Sequence, residues 1–272
     1  MSLADTFFSL HRRDRPLVLC NAWDAYSACV FESEGGEAIA TSSAGVANAL
    51  GYGDGEDVDL GELFASLRRI VRVVRVPVSA DLEAGFGIDA EGAVRTVERA
   101  IDAGAVGANL EDYDPRAGDT IPIEAHCERI RAVKARCAAL GVRFFLNART
   151  DLMLHDIGDE ATRVDCTIER LRAYVAAGAD GAFAPGVSDA AEIERIAAAV
   201  SAPFNVLAGP ASPPVAELAR LGVARVSLGS WPARVALGAA RAAARELFGR
   251  GTYGFASAPT MTYAESNALF AR

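Results

Sequence analysis

One unit recurs along this chain and leaves few folds open. Ala103-Gly104-Ala105-Val106-Gly107-Ala108 matches Ala177-Gly178-Ala179-Asp180-Gly181-Ala182 in plan, and Leu221-Gly222-Val223-Ala224-Arg225-Val226 follows it. Glu34-Gly35-Gly36-Glu37-Ala38-Ile39 is a looser fourth copy. In each, a helix stops at a glycine able to take the left-handed cap, and a short apolar strand begins two or three residues later. Helix, glycine stop, buried strand, polar strand end, helix is the alternation of a parallel α/β protein.

Apolar strands are expected at 17–21, 38–42, 76–81, 106–111, 144–149, 181–184, 204–207 and 225–228. Helices are expected at 89–103 with Asp89 as cap, 123–140, 160–177, 190–200, 214–221 and 232–248, the last with Pro232 near its first turn. Ile123, Cys127, Ile130 and Val133 share one face of the second of these. Eight repeats in 272 residues fit a closed (β/α)8 TIM barrel over residues 1–248. A doubly wound open sheet is the alternative. Residues 249–259 read as a linker. The capping-box pattern from Thr262 to Glu265 opens a last short helix running to Arg272. That helix docks either on its own barrel or on a neighbouring subunit.

The formal net charge of −9, with no basic cluster, argues against nucleic acid or anionic lipid as partner. No stretch is long and apolar enough to span a membrane, and the N-terminus carries neither a signal nor a transit pattern. Five scattered cysteines, none in a CxxC pair, read as free thiols in a reducing cytoplasm, with no zinc site.

Barrel sites form at the C-terminal ends of the strands. The third strand runs into Asp81-Leu82-Glu83, and the fourth stops at Glu111-Asp112. Apolar strands have no structural use for acids there, whereas Mg2+ takes oxygen ligands, usually one or two carboxylates plus waters. Asp81 and Glu83 are two apart, so in a strand both point to one face, about 6.5 Å apart. Glu111 can close the other side. The competing reading makes Asp81 a helix cap and Glu111-Asp112 a solvated turn.

Other strand ends supply Asn21-Ala22-Trp23-Asp24, Ser42-Ser43-Ala44-Gly45 with Asp54 beyond it, Asn147-Ala148-Arg149-Thr150-Asp151, Asn205, Ser227 and Ser230. Arg149 can fork two hydrogen bonds to a carboxylate or phosphonate, or pair with Asp151 or another site acid. Ser42-Ser43-Ala44-Gly45 offers backbone N–H groups to an oxyanion, or is an ordinary turn. Asp24 reads as a helix cap. His11 and His126 are expected at the surface; His155 follows strand five, and an approach to the barrel mouth is the less favoured reading. No nucleophile–base pair and no nucleotide-binding glycine motif stands out.

These blocks together, from Asn21-Ala22-Trp23-Asp24-Ala25 to Asn147-Ala148-Arg149-Thr150-Asp151, resemble the isocitrate lyase / phosphoenolpyruvate mutase superfamily over residues 17–238. The resemblance implies a barrel that is a homo-oligomer, typically a tetramer, with its eighth helix swapped between subunits. It implies chemistry on a small carboxylate substrate: a C–C or P–C bond made or broken beside a 2-oxo or 2-hydroxy acid, with Mg2+ or Mn2+ and an enolate-like intermediate. Asp81 would bind the metal directly, and Glu83, Glu111 and Asp54 would hold its waters. The N–H groups of Ser43 and Ala44 would receive the substrate oxyanion. Arg149 would grip the far anionic group or the carboxylate. Ser42, Trp23 and Asn205 are further candidates for substrate contact, although an amide such as Asn205 is more often structural. Asp54, Glu111 and Arg149 form the expected catalytic set.

The chain departs from the superfamily in one loop. Lyase members carry Lys-Lys-Cys-Gly-His after strand four, with Cys as acid; mutase and phosphonopyruvate hydrolase members use Lys and Asn there. Here the loop is Tyr113-Asp114-Pro115-Arg116-Ala117-Gly118-Asp119-Thr120, short and without any of these groups. Glu83 stands where an Asp is common. The expected reaction is one whose leaving group needs no proton, such as oxaloacetate-type decarboxylation. The rivals are a pyruvate-dependent metal aldolase with His155 as base, and a non-catalytic dicarboxylate-binding barrel.

Overall fold

The computed structural model describes residues 1–87, 89–257 and 260–271. The first expected strand is split at Cys20 into β1 (Leu17–Leu19) and β2 (Asn21–Ala22). β3 (Ile39–Thr41), β4 (Val78–Asp81) and β5 (Gly107–Glu111) follow, then a small antiparallel pair, β6 (Tyr113–Asp114) and β7 (Asp119–Thr120). β8 (Phe145–Arg149), β9 (Gly181–Phe183), β10 (Phe204–Leu207) and β11 (Arg225–Ser227) complete the set.

Sheet order settles the topology. It runs β1-β11-β10-β9-β8-β5-β4-β3-β2, every pairing parallel. The two ends of this order, β1 and β2, are halves of one strand. Leu17 pairs with Arg225 on one side and Asn21 with Ala40 on the other. The sheet therefore closes on itself as a barrel, and the open doubly wound alternative is excluded.

The helices are α1 (Leu3–Leu10), α2 (Ala25–Ser33), α3 (Ser43–Leu50), α4 (Leu60–Val73), α5 (Ala90–Asp102), α6 (Ile123–Ala139), α7 (Glu160–Ala176), α8 (Ala190–Ala199), α9 (Val215–Arg220), α10 (Trp231–Arg250) and α11 (Tyr263–Ala268). Asp24, Asp59, Asp89, Asp159 and Asp189 each accept a first-turn N–H as N-caps of α2, α4, α5, α7 and α8. The repeat's glycine stops take positive φ, +93° at Gly104 and +110° at Gly178. α1 closes the barrel floor: Phe7 is fully buried and meets Phe145 edge-on, with ring centroids 5.5 Å apart. Gly107 makes room for it, since a Cβ there would lie 2.8 Å from the Phe145 carbonyl and 3.0 Å from the Phe7 ring.

Two histidines expected at the surface are not there. His126 has no exposed area and lies with its ring 4.5 Å from Tyr174, because it falls on the same α6 stripe as Cys127 and Ile130. His11 stacks on Phe145 at 4.0 Å, its Nδ1 2.8 Å from the Phe7 carbonyl. Burial, with the Arg225 charge added, pushes its pKa down to about 3.

α10 stands apart from the other outer helices. Of its residues only Ala233 is buried, while Val235 is 69%, Leu237 60% and Phe248 84% exposed. The Thr262/Glu265 capping box opens α11 as expected. The Tyr26 hydroxyl of α2 donates to Ser266 Oγ at 2.7 Å, so the tail docks on its own barrel. Pro259, the end of the expected linker, lies outside the described residues, and the last helix, expected to run to Arg272, stops at Ala268. No helix among the described residues is long and apolar enough to cross a membrane.

Candidate active site

At the C-terminal ends of the strands lies a cavity of about 530 Å³, within the range of small-molecule sites. Asn21, Ser42, Ser43, Ala44, Asp54, Asp81, Glu83, Glu111 and Arg149 all face it, so five separate strand ends converge. β4 delivers Asp81. Its backbone N–H donates to Thr41 Oγ1 at 2.8 Å, and its carboxylate accepts from the Ser43 N–H at 3.0 Å and from Asn109 Nδ2 at 3.1 Å. Asp81 is thus oriented from both neighbouring strands. It does not cap its own following helix, a role taken by Asp89. Asn147 Nδ2 donates to Asn109 Oδ1 at 2.9 Å, which fixes the way the Asn109 amide faces.

Glu83 reaches the cavity by a route that strand alternation does not describe. β4 ends at Asp81, and Glu83 sits in the turn beyond it with φ +50°, a left-handed conformation that costs a non-glycine residue energy. Its carboxylate accepts from the Gly55 and Glu56 N–H groups at 3.0 and 2.9 Å. Those bonds pin the loop carrying Asp54 to the rim. Glu83 is therefore buried by a turn, not aligned with Asp81 along a strand face.

Glu111, at the end of β5, is buried and forms an ion pair at 2.7 Å with Arg149 Nη1. Arg149 also grips Asp151 through Nε at 2.5 Å and Nη2 at 2.8 Å. Both donor edges of the guanidinium are occupied by protein acids. The grip on a substrate expected of Arg149 is thus already taken up by Asp151 and Glu111. Asp112 is equally buried and is satisfied by the Tyr174 hydroxyl at 2.6 Å and by Arg170 at 3.1 Å, so it is no solvated turn.

The electrostatics follow from this crowding. Burial, then the charges of Asp54 and Asp81, push Glu83 up to about 8. Burial likewise lifts Glu111 well above the ordinary carboxylate range, against the pull of Arg149. Burial and the Asp81 charge raise Asp54, whose carboxyl faces the cavity although the residue as a whole is exposed at the rim. Burial alone would lower Arg149, but Glu111, Asp151 and Asp81 more than offset it and keep it charged.

Like charges gathered in a partly enclosed cavity fit a divalent cation. Among the described residues, however, no three His, Cys, Asp or Glu side chains come close enough to cage one directly. The carboxylates of Glu83 and Glu111 have protein partners of their own, Glu83 the Gly55 and Glu56 N–H groups and Glu111 the Arg149 guanidinium. What fits is the coordination Mg2+ prefers, one direct carboxylate with waters filling the remaining positions.

The oxyanion contact expected of both Ser43 and Ala44 is reduced to one N–H. Ser43 gives its own to Asp81, whereas Ala44 faces the cavity from the first turn of α3, where a helix leaves its N–H groups without intrahelical partners. Ser42 caps that helix through its side chain and lines the cavity. Trp23, a candidate substrate contact, does not line it, and Asn205 takes the structural alternative. Trp23 packs edge-on to Phe31, and Asn205 is fully buried below, bonded to Asn147 and Ser227.

His155 does reach the cavity, stacked on Tyr113 at 3.9 Å with Nε2 3.7 Å from Asp151 Oδ2. Tyr113, Trp231 and Arg234 also line it, and sequence reasoning missed all three. The signal for the last two was their place just past the eighth strand, at the start of the helix that follows.

The "Phosphoenolpyruvate phosphomutase" family profile matches residues 7–248. An uncharacterized Mycobacterium tuberculosis protein is 36% identical over 241 residues, 88% of each chain. The 2-methylisocitrate lyase of Escherichia coli is 32% identical over 200 residues, 71% of this chain and 65% of the lyase. The oxaloacetate decarboxylase of Rhodopseudomonas palustris is 36% identical over 167 residues, 60% of this chain and 55% of that one. Among solved structures, a candidate lyase/mutase from Burkholderia cenocepacia J2315 superposes with a TM-score of 0.91 at 40% identity, covering 99% of this chain and 95% of that one. An oxaloacetate acetylhydrolase holding 3,3-difluorooxalacetate superposes at 0.86 with 27% identity, covering 98% and 93%. The barrel, the convergent strand ends and these matches agree: the chain belongs to the phosphoenolpyruvate phosphomutase family, within the isocitrate lyase / phosphoenolpyruvate mutase superfamily of enzymes.

Proposed function

We propose that this chain is a Mg2+- or Mn2+-dependent lyase that cleaves a C–C bond of a small 2-oxo acid, with oxaloacetate-type decarboxylation favoured over isocitrate-type cleavage. One observation carries this reading. Carboxylates from two strand ends and a rim loop surround a cavity whose lining holds no cysteine or lysine to protonate a leaving group. Loss of CO2 needs no such acid.

In this reading Asp81 would hold the cation directly, while Glu83, Glu111 and Asp54 would hold its waters. The bound cation supplies electrophilic stabilisation for the oxygen that becomes negative as the bond breaks. The chain's own contribution is preorganisation. Asn109 and the Ser43 N–H fix the Asp81 carboxylate, and the free N–H of Ala44 offers a hydrogen bond to the developing oxyanion. The β6–β7 hairpin places Tyr113 and Pro115 over one side and narrows access by water. The electron pair of the breaking C–C bond becomes the enolate double bond as the carbonyl pair moves onto the 2-oxo oxygen, and the carbon left behind takes a proton from water after CO2 has left.

The test is a panel of 2-oxo and 2-hydroxy acids assayed with Mg2+ or Mn2+, with and without chelator. Metal-dependent decarboxylation of a 2-oxo diacid supports the reading, whereas turnover indifferent to metal, or no turnover of any acid, defeats it. The presence of His155 in the cavity supports a second reading, a metal-dependent pyruvate aldolase with His155 as base. His155→Gln would then abolish activity, while a decarboxylase would retain most of it. We further infer a homo-oligomer assembled through the exposed apolar face of α10.

A further inference from the structure

We propose that Arg225, buried in the barrel interior, is a positioning residue of the cation site. Its charge, relayed to Asp81 through Asn109, loosens the hold on the cation and strengthens the hold on the anion that the cation recruits. The inference rests on the divalent-cation reading of the cavity and deepens it.

Of the residues in the barrel's strands only Arg149 and Arg225 are basic. Arg149 is paired with Glu111 and Asp151. Arg225 opens β11, is 1% exposed, and forms no ion pair with a carboxylate among the described residues. Its Nη2 reaches across the barrel to Ser79 Oγ of β4 at 3.4 Å and to Asn109 Oδ1 of β5 at 3.3 Å. Its Nε and Nη1 have no hydrogen-bond partner among the described residues. Arg129, equally buried, is used differently: it ties the Ala84, Gly87 and Glu111 carbonyls to α6. A buried cation costs free energy, and one kept to hold the fold together would spend its donors on the chain, as Arg129 does. What Arg225 delivers is its charge. Burial draws the group down to about 9, with Asp81 opposing the fall, so the guanidinium is charged at neutral pH.

One amide separates this charge from the cavity. Asn109 Oδ1 receives Arg225 Nη2, and Asn109 Nδ2 donates to Asp81 Oδ1 at 3.1 Å. Asn147 also donates to Asn109 Oδ1, so the amide keeps its direction whatever side chain stands at 225. The charge of Arg225 is therefore separable from the aim of Asp81. A positive charge under the floor repels a divalent cation above it and attracts a dianion bound to that cation. In a partly enclosed site each effect amounts to about fivefold in affinity. Damage to the floor would weaken both ligands. Opposite changes in the two affinities are thus the mark of the charge.

The test is calorimetry on wild type, Arg225→Gln, Arg225→Lys and Ser79→Asp, with thermal melts to establish folding. Mn2+ is titrated into the metal-free protein, then oxalate, a small dianion, into the Mn2+-saturated protein. Arg225→Gln is expected to bind Mn2+ about fivefold more tightly and oxalate about fivefold more weakly than wild type. Ser79→Asp sets a carboxylate beside Nη2 and cancels the charge without removing the arginine. It is expected to move both affinities the same way, which keeps the inference testable if Arg225→Gln does not fold. Arg225→Lys keeps the charge and should hold both affinities within about twofold. Both affinities falling together, neither changing, a change in Arg225→Lys as large as in Arg225→Gln, or a wild type that takes Mn2+ but not oxalate overturns the inference alone. A wild type that binds no Mn2+ overturns it together with the reading of the site.

Discussion

Glu111 and Asp151 share one guanidinium, and their replacement by amides separates a site acid from a structural one. In the wild type two buried carboxylates face Arg149, leaving one negative charge in excess. Asp151 holds Arg149 through two aligned bonds, whereas Glu111 meets it at 2.7 Å without an aligned hydrogen bond at Oε2. Glu111→Gln removes the excess charge and leaves the Arg149–Asp151 pair whole. We expect it to stabilise the metal-free protein by about 1 kcal/mol, since a buried charge without full compensation opposes folding. For a chain of this size that raises Tm by roughly 3 °C. Asp151→Asn removes two charge-assisted bonds. Because Glu111 remains to balance the guanidinium, the cost is about 2 kcal/mol rather than the roughly 3–5 kcal/mol of a fully orphaned charge. The assay is urea and thermal unfolding in excess chelator at pH 7.5, with turnover measured separately in Mg2+. Activity should collapse in Glu111→Gln despite its higher Tm. The reasoning is refuted if Glu111→Gln loses 2 kcal/mol or more, or if Asp151→Asn costs nothing.

Acid should weaken the fold through His11 and His126. His11 binds its proton near pH 3 when folded against an ordinary 6.5, so the unfolded chain takes up the proton first and stability falls as pH drops through that window. At pH 5 His11 contributes at most about 2 kcal/mol of this loss, and burial of His126 acts in the same direction. Urea midpoints measured at pH 7.5 and 5 should converge partly in His11→Gln; an unchanged difference rules the account out. Replacing Val235 and Leu237 together by Asp on the exposed face of α10 should reduce the sedimentation coefficient of an oligomeric wild type. A wild type that sediments as a monomer removes the basis for that expectation.

The barrel was legible because its repeat couples two local signals, a glycine that stops a helix and an apolar strand directly after it. Strand limits moved by a residue or two, since register rather than apolarity sets them; the expected 76–81 became Val78–Asp81. The cavity acids were legible as residues out of keeping with their strands. Their geometry was not, because Glu83 lies past the last strand residue, where alternation no longer holds and a left-handed turn decides direction. His126 was misplaced for want of a wider stripe: it lies three residues from Ile123 and four from Ile130, on the inward face. The pairing of Arg149 with Glu111 spans two strands, and sequence offered both that outcome and a substrate contact with nothing to choose between them. Arg234 was missed because only closure of the barrel brings the start of α10 over strand ends far away in the chain.

Asn21 lies where the first strand passes from its pairing with β11 to its pairing with β3. Its Oδ1 receives the N–H groups of Leu228 and Gly229 at 2.8 and 3.0 Å, and its Nδ2 donates to the Thr41 carbonyl at 2.8 Å. The seam of the ring and the loop leading to Trp231 and Arg234 are buttoned by the same side chain. Loosening that button would slacken the wall of the pocket and the hoop of the barrel in a single motion, so the mouth cannot be retuned at this edge without touching the closure of the whole cylinder.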